Sequence, residues 1–366
     1  MKSIMFVFGT RPEAIKMCPP MRELEARGRF HVVTVVSGQH RELLDGVLST
    51  FGVTPAYDLA LMREGQSQQA LVGAMLSGFS DILSQEKPDL VLVHGDTTTT
   101  FAAALSCFYM GIDVGHVEAG LRTYDMASPF PEEFNRQATG LVAKYHFAPT
   151  QAAAENLLRE GKRRETVFVT GNTGIDALRF TVRPDYHSPL LTWAGEGRLV
   201  LLTLHRRETL GEPMERMLTA IKTAAEERGD MRILMPVHPN RAVRRIVQTV
   251  LGDCPAVRIC PPLDVVDFHN LMARAHMILT DSGGIQEEAA ALGVPTLVLR
   301  DRTERQEGID TGALRLAGTS FDGVYRGFCE IYDSAALRES MKHAKNPYGD
   351  GRASARIADI LEKIIM

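Results

Sequence analysis

Short apolar runs recur along the whole chain, and nearly every one is followed by a stretch of helical composition. Ile4–Phe8, Val32–Val36, Leu90–Val93, Val114–Val117, His146–Ala148 and Val167–Val169 are candidate strands of the first half. Gln69–Glu86 and Thr98–Tyr109 are examples of the helical stretches between them. The second half repeats the layout with Leu199–Leu202, Ile233–Met235, Val257–Ile259, Met277–Leu279 and Thr296–Leu299. A strand that is apolar throughout is covered on both faces, and intervening helices supply the covers. The pattern therefore predicts an α/β fold built on parallel sheets.

The chain has 366 residues, more than the ~250–300 at which a single core usually stops growing. Two doubly wound, Rossmann-like domains are expected, 1–172 and 173–366, with the last helix packing back on the first domain. The division lies between Gly171 and Arg198, where the polar stretch Arg183-Pro-Asp-Tyr-His-Ser-Pro189 interrupts both helix and strand signals. In such sheets ligands bind outside the carboxyl ends of the strands. Two halves of this kind are expected to face a shared cleft, with the chemistry-bearing residues just after strands.

Composition narrows the partners. A net charge of −4 gives no electrostatic footprint for nucleic acid. There is no run of 18 apolar residues, and the N-terminus enters a strand pattern directly. Neither a membrane span nor a signal peptide is expected. Five cysteines without paired spacing, Cys18, Cys107, Cys254, Cys260 and Cys329, suit reduced thiols in a cytoplasmic protein rather than a disulfide framework or a zinc site.

Leu279-Thr-Asp-Ser-Gly-Gly-Ile-Gln-Glu-Glu288 reads as strand, glycine-rich turn and helix. A helix start presents unpaired N–H groups and roughly half a positive charge. Ser282, Gly283 and Gly284 would let an anion such as a nucleotide diphosphate approach the backbone. Glu288 follows where a carboxylate can bind ribose hydroxyls. An ordinary strand-to-helix turn with a good N-cap is the alternative. His205, after the strand Leu199–Leu202, is placed to act on the same anion as acid or donor, or it is structural. Leu263 and Phe268 offer a backbone edge and a ring to a flat base, or belong to the core. Arg305 is a further cation or a solvated charge.

In the first half, Phe8-Gly-Thr-Arg-Pro-Glu-Ala-Ile-Lys16 follows the first strand. Gly9 allows the turn, Thr10 caps, and Pro12 suits the first helical position. Arg11 and Lys16 then reach a phosphate or carboxylate, or are exposed cations at a helix start. No Gly-x-Gly-x-x-Gly occurs here, which weakens a case for NAD. Three carboxylates follow strands or open helices: Asp96 in Val93-His-Gly-Asp-Thr-Thr-Thr-Thr100, Glu118 in Gly115-His-Val-Glu-Ala-Gly-Leu-Arg-Thr123, and Glu132 in Pro129-Phe-Pro-Glu-Glu-Phe-Asn-Arg136. Clustered carboxylates push some pKa values up and so supply an acid and a base near neutral pH. First-turn glutamates such as Glu132 and Glu133 also have an ordinary helix-dipole explanation. A divalent metal is a competing expectation, since His94 and Asp96, like His116 and Glu118, lie two apart on expected strands. Buried, hydrogen-bonded histidines are the simpler alternative.

Together these stretches, with Asn346-Pro-Tyr-Gly-Asp-Gly351, resemble the motifs of the non-hydrolysing UDP-N-acetylglucosamine 2-epimerases, in order from about residue 3 to residue 365. The resemblance implies the GT-B-type architecture of two Rossmann-like domains, a homodimer, and neither NAD nor metal. It implies that UDP phosphates meet Arg11, His205 and Ser282-Gly283-Gly284, the ribose Glu288, and the uracil Leu263 and Phe268. Lys16, Asp96, Glu118, Glu132, Arg136 and Arg305 would line the sugar and phosphate side. The implied reaction eliminates UDP to 2-acetamidoglucal and re-adds it, inverting C2, for cell-surface polysaccharide synthesis. A hydrolysing epimerase, an epimerase of another UDP-sugar and a non-catalytic nucleotide-sugar regulator are the alternatives.

Some positions depart from the family pattern. Leu204 stands where glycine is common, and Gln306 where proline is. Gln39, Glu132, Arg206 and His238 match positions of an activating second UDP-N-acetylglucosamine site. Glu42 and Gly65 do not match the usual glutamine and arginine, so weak or absent activation is expected.

Overall fold

The computed structural model describes residues 1–38, 41–62, 65–206, 209–303 and 305–366, the side chains of 41–43 excepted. Its strands form two sheets, and every recorded pairing is parallel. The first sheet has β1 (Ser3–Phe8), β2 (His31–Val36), β3 (Tyr57–Asp58), β4 (Leu90–His94), β5 (Val114–Val117), β6 (Tyr145–Ala148) and β7 (Val167–Val169). Their order is β3-β2-β1-β4-β5-β6-β7. The second has β8 (Arg198–Thr203), β9 (Met231–Pro236), β10 (Val257–Cys260), β11 (Met277–Thr280), β12 (Thr296–Val298) and β13 (Leu314–Leu316). Their order is β10-β9-β8-β11-β12-β13.

The expected parallel α/β class is thus present, with all eleven candidate strands in place. The two strands without a sequence signal are β3 and β13. Both lie at sheet edges, where a strand of two or three residues has no room for an apolar run. The strand order reverses between β1 and β4 and again between β8 and β11. Those reversals open the crevices in which doubly wound sheets hold ligands.

Apolar burial sustains each sheet. Met5, Val7, Val35, Met75, Phe79, Val91 and Val93 pack in the first core. Val200, Leu202, Met217, Ile221, Met235, Leu279 and Phe328 pack in the second. Each such side chain contributes about 1.5–3 kcal/mol when fully buried. Leu204, in place of the family's common glycine, is 2% exposed within that second core. Gln306 opens a short helix, Gln306–Asp310.

The chain divides into two units, Met1–Phe180 with Gly349–Met366, and Thr181–Tyr348. The helix Thr173–Thr181, beyond residue 172, falls almost wholly in the first unit for a physical reason. The Asp176 carboxylate, largely buried, accepts the Ala353 and Ser354 backbone N–H groups at 3.1 and 2.8 Å, at the start of the final helix Ala353–Ile365. That helix also packs on the helix Arg11–Arg27, where Arg27 donates to Asp359 at 2.7 Å and Glu362 at 3.2 Å. No described helix is long and apolar enough to cross a membrane. All five cysteines are unpaired.

Candidate active site

In the first unit three strand ends carry the chemistry. After β1, Thr10 caps the helix Arg11–Arg27, with Arg11 as its first residue and Pro12 its second. Gly9 has to be glycine, because a Cβ there would lie 2.0 Å from Ser37 Oγ and 2.4 Å from Thr99 Oγ1. Glu13, 2% exposed, completes a capping box. One carboxylate oxygen accepts the Gly9 and Thr10 N–H groups at 3.0 and 2.8 Å. The other accepts the Thr97 and Thr100 hydroxyls at 2.7 and 3.2 Å. Burial raises its pKa against the pull of those donors. Glu13 therefore ties the turn after β1 to the turn after β4. In the sequence Glu13 is visible only as the last residue of the capping signature Thr10-x-x-Glu13.

β4 ends at His94, and Gly95 turns the chain at φ +67. Asp96 follows, and Thr97 caps the helix Thr98–Tyr109. Asp96 forms an ion pair with Arg136, and its backbone carbonyl accepts from Asn135 Nδ2 at 3.0 Å. Its side chain retains 27% exposure amid dense packing. Desolvation pushes its pKa up, Arg136 opposes this, and the negative charges of Glu118 and Glu132 add to the rise. Glu133, fully buried one residue later, accepts the Thr123 and Tyr124 N–H groups, both at 3.1 Å, and Gln137 Nε2 at 2.7 Å. It also lies 3.6 Å from Arg136 Nη1. Burial works against its charge, yet those donors and Arg136 hold it below the usual carboxylate range. Glu133 is thus an internal anchor beside Arg136, not merely a dipole residue.

β5 ends at Val117, and Glu118 takes a left-handed φ of +63. A non-glycine residue there costs energy and is often found at functional sites. Its carboxylate pairs with Lys16, both side chains little exposed, and lies 3.6 Å from His94 Nε2. Two carboxylates from neighbouring strands thus each hold a cation, Asp96 with Arg136 and Glu118 with Lys16.

The two-apart expectation for a metal does not hold, because the strands stop before Asp96 and Glu118. Gly95 and Glu118 itself break the alternation. Burial lowers His94 to about 4 and His116 to about 3. His116 Nε2 is 2.7 Å from the Gly95 carbonyl. Among the described residues no three His, Cys, Asp or Glu side chains are placed to hold a metal ion.

In the second unit the candidate residues gather at the reversal between β8 and β11. Ser282 caps the helix Gly283–Ala291 without giving its hydroxyl to the helix N–H groups. The Ser282 N–H itself goes to Thr280 Oγ1 at 3.0 Å. The two glycines do different work. A Cβ on Gly283 would meet the Arg305 guanidinium at 2.8–3.2 Å, whereas one on Gly284 would meet nothing within 4 Å. Arg305 therefore lies against the helix start, held by Glu287 at 3.0 Å, while Tyr348 donates to its carbonyl at 3.0 Å. Thr303 and Gln286 brace the same turn: Thr303 Oγ1 donates to Gln286 Oε1 at 2.8 Å, and Gln286 Nε2 to Ser282 O at 3.1 Å. Ser282, Gly283 and Arg305 are thus brought together, as an anion seat requires.

His205 lies just beyond β8, its ring stacked on His238 at 5.9 Å. Arg206 Nε donates to the Asp281 carbonyl at 2.9 Å. Glu288, 13% exposed at its side chain, sits 3.6 Å from His269 Nε2. Phe268 is beside His269, and both Phe268 and Leu263 pack partly against the core. Gln39 lies outside the described residues.

The sequence model of the family described as UDP-N-acetylglucosamine 2-epimerase matches residues 22–362. The UDP-N-acetylglucosamine 2-epimerase of Bacillus subtilis (strain 168) is 51% identical over 358 residues, covering 98% of this chain and 94% of that protein. The chain belongs to the UDP-N-acetylglucosamine 2-epimerase family. The family member from Escherichia coli O157:H7 is 44% identical and covered to 98% on both sides. A crystal structure of the Neisseria meningitidis UDP-GlcNAc 2-epimerase, bound to UDP-GlcNAc, is 42% identical. It matches at a TM-score of 0.92 over 99% of this chain and all of that one. A glycotransferase of kitacinnamycin, 15% identical with a TM-score of 0.67, shares the fold alone.

For this family member Glu13→Ala is expected to lower stability by about 1–3 kcal/mol, the cost of leaving buried donors without an acceptor. Glu13→Gln should cost less, since its carbonyl keeps one side of the network. Urea denaturation of the two variants against the parent measures the difference.

Proposed function

We propose that this family member interconverts UDP-N-acetylglucosamine and UDP-N-acetylmannosamine without hydrolysis, by eliminating UDP and adding it back. The supporting observation is the pair of cation-bound carboxylates, Asp96 and Glu118, set on the ends of adjacent strands. The C2 proton of the sugar has no neighbouring carbonyl, so departure of UDP must drive its removal. Asp96 takes the C2 proton, the C2–H electron pair becomes the C1=C2 bond, and the C1–O pair leaves with UDP. Glu118 and Glu132 steady positive charge developing at C1 and share the proton traffic. On return a UDP oxygen rebuilds the C1 bond and a proton arrives on the other face of C2. Ser282, Gly283, Gly284, Arg305, Arg11 and His205 hold the diphosphate, Glu288 the ribose, and Leu263 and Phe268 the base. Lys16 and Arg136 fix the carboxylates. No metal or NAD enters these steps.

NMR of UDP-N-acetylglucosamine with the protein in deuterated water tests the proposal. Expected are the C2 epimer, deuterium at C2 in both epimers, and no accumulating free UDP. Stoichiometric free UDP with free N-acetylmannosamine would indicate hydrolysis instead, and an unchanged spectrum a binding protein.

Activation by a second substrate molecule is expected to be weak or absent. Arg206 is bonded to Asp281, and Glu42 and Gly65 depart from the activating pattern. UDP-N-acetylmannosamine should therefore turn over without added UDP-N-acetylglucosamine. Strict dependence on it in that assay overturns the expectation.

The protein also pairs with a second copy of itself. Neighbouring helices Thr98–Tyr109 and Glu132–Val142, linked by a Phe101–Phe134 ring contact at 5.5 Å, leave Phe108 58%, Tyr109 77%, Phe134 48% and Leu141 78% exposed. So much exposed apolar surface calls for a cover. Light scattering should give a dimer and, for Leu141→Glu, a monomer. Five unpaired thiols suit a reducing compartment such as the cytoplasm.

A further inference from the structure

Asp281, immediately after β11, has no exposed surface, and its two carboxylate oxygens are used unequally. Oδ2 accepts the His205 and Arg206 N–H groups, both at 2.9 Å, and the Thr209 hydroxyl at 3.2 Å. Oδ1 is buried with no in-line donor among the described residues. His205 Nδ1 stands 3.1 Å from it, off the line of a well-directed hydrogen bond. A buried carboxylate oxygen demands a donor, and a small rotation of the ring supplies one. Burial would raise this carboxyl, but the nearby His205 and the backbone N–H groups of Arg206 and His205 outweigh it and hold it below the ordinary range. It is therefore an anion at neutral pH.

We propose that Asp281 is a positioning residue that fixes the tautomer of His205. A carboxylate oxygen only accepts, so the ring atom facing it must carry hydrogen. Nδ1 then holds a permanent proton, and Nε2 becomes the atom at which a proton is gained or lost. The His205 side chain is 40% exposed, so this exchange takes place on its reachable edge. The proposal rests on His205 serving the UDP leaving group, as set out above. A proton on Nε2 passes to the departing diphosphate oxygen during elimination, and Nε2 takes it back when UDP returns. Among the described residues, His238, stacked on the ring, and Arg206 beside it are neighbouring basic groups, with Arg244 acting on His238.

Asp281→Asn separates this role from simple support of the loop. The amide oxygen can accept the His205 and Arg206 N–H groups, while its NH2 group faces Nδ1. Nδ1 must then accept, and the neutral ring carries its hydrogen on Nε2, from which it is not released at neutral pH. The variant is expected to bind UDP within about threefold of the parent, while kcat falls on the order of 10²–10⁴-fold. Nitrogen-15 NMR of the unliganded parent, assigned with His205→Asn, should show Nδ1 protonated, and Asp281→Asn should show Nε2 protonated. An Nε2–H neutral ring in the parent, or an unchanged kcat in a folded Asp281→Asn variant, overturns the proposal. The parent spectrum decides it even if the variant does not fold. A parent with the Nδ1 tautomer but no epimerisation would sink the functional reading and leave the pairing intact.

Discussion

Asp96→Asn is expected to abolish deuterium incorporation at C2 and to lower kcat on the order of 10²–10⁴-fold, the usual worth of a positioned general base. The isosteric amide can keep a contact with Arg136 but cannot take a proton. Full exchange at C2 in that variant would remove Asp96 from the role. The electrostatics make a second, independent demand. Activity requires the ionised carboxylate, so kcat/KM should rise with pH through the Asp96 pKa and fall below it. That acid limb should lie above the ordinary aspartate value, because desolvation raises the pKa against the opposition of Arg136. Arg136→Met removes the opposing cation, so the limb should move to still higher pH. A limb that moves down, or not at all, argues that Arg136 does not govern the ionisation of the base.

The parallel sheets were legible because β1, β4, β8 and β11 carry apolar runs that point to both faces, the pattern of a doubly covered sheet. The placement of Asp96, Glu118 and Ser282 was legible for a related reason. Each stands just beyond a buried strand, at the end where doubly wound sheets hold ligands. What remained hidden depended on contacts between turns distant in sequence. Glu13 looks like an ordinary capping glutamate until Thr97 and Thr100 bring their hydroxyls to it. Glu133 looks like a dipole residue until the Thr123 and Tyr124 N–H groups close on it. Asp281 sits inside the quoted Ser-Gly-Gly motif, yet its hold on the His205 turn exists only because β8 and β11 are neighbours. The metal expectation failed through backbone geometry, which residue spacing does not reveal: the left-handed turns at Gly95 and Glu118 end the alternation before it reaches either carboxylate.

Gly283→Ala and Gly284→Ala should separate the two jobs that the glycine pair performs. At Gly283 the added methyl meets the Arg305 guanidinium, 2.8 Å away at Cζ. That guanidinium is the end of a flexible chain, so the fold tolerates its displacement, but the cation leaves the helix start. Losing one charge-assisted contact of about 1.5–3 kcal/mol weakens UDP binding roughly 10–100-fold. At Gly284 the methyl enters open space. Without ligand, alanine in the first helical turn should stabilise the protein by about 0.4–1 kcal/mol through its lower unfolded-state entropy. If a diphosphate occupies the space in front of the helix, the same methyl collides with it. Gly284→Ala should then melt slightly higher than the parent yet bind UDP more weakly. Calorimetric titration with UDP, beside thermal denaturation of the free proteins, measures both. Parent-like affinity in both variants would mean that no phosphate sits on this turn. A loss confined to Gly283→Ala would assign the affinity to Arg305 rather than to the exposed backbone N–H groups of the helix start.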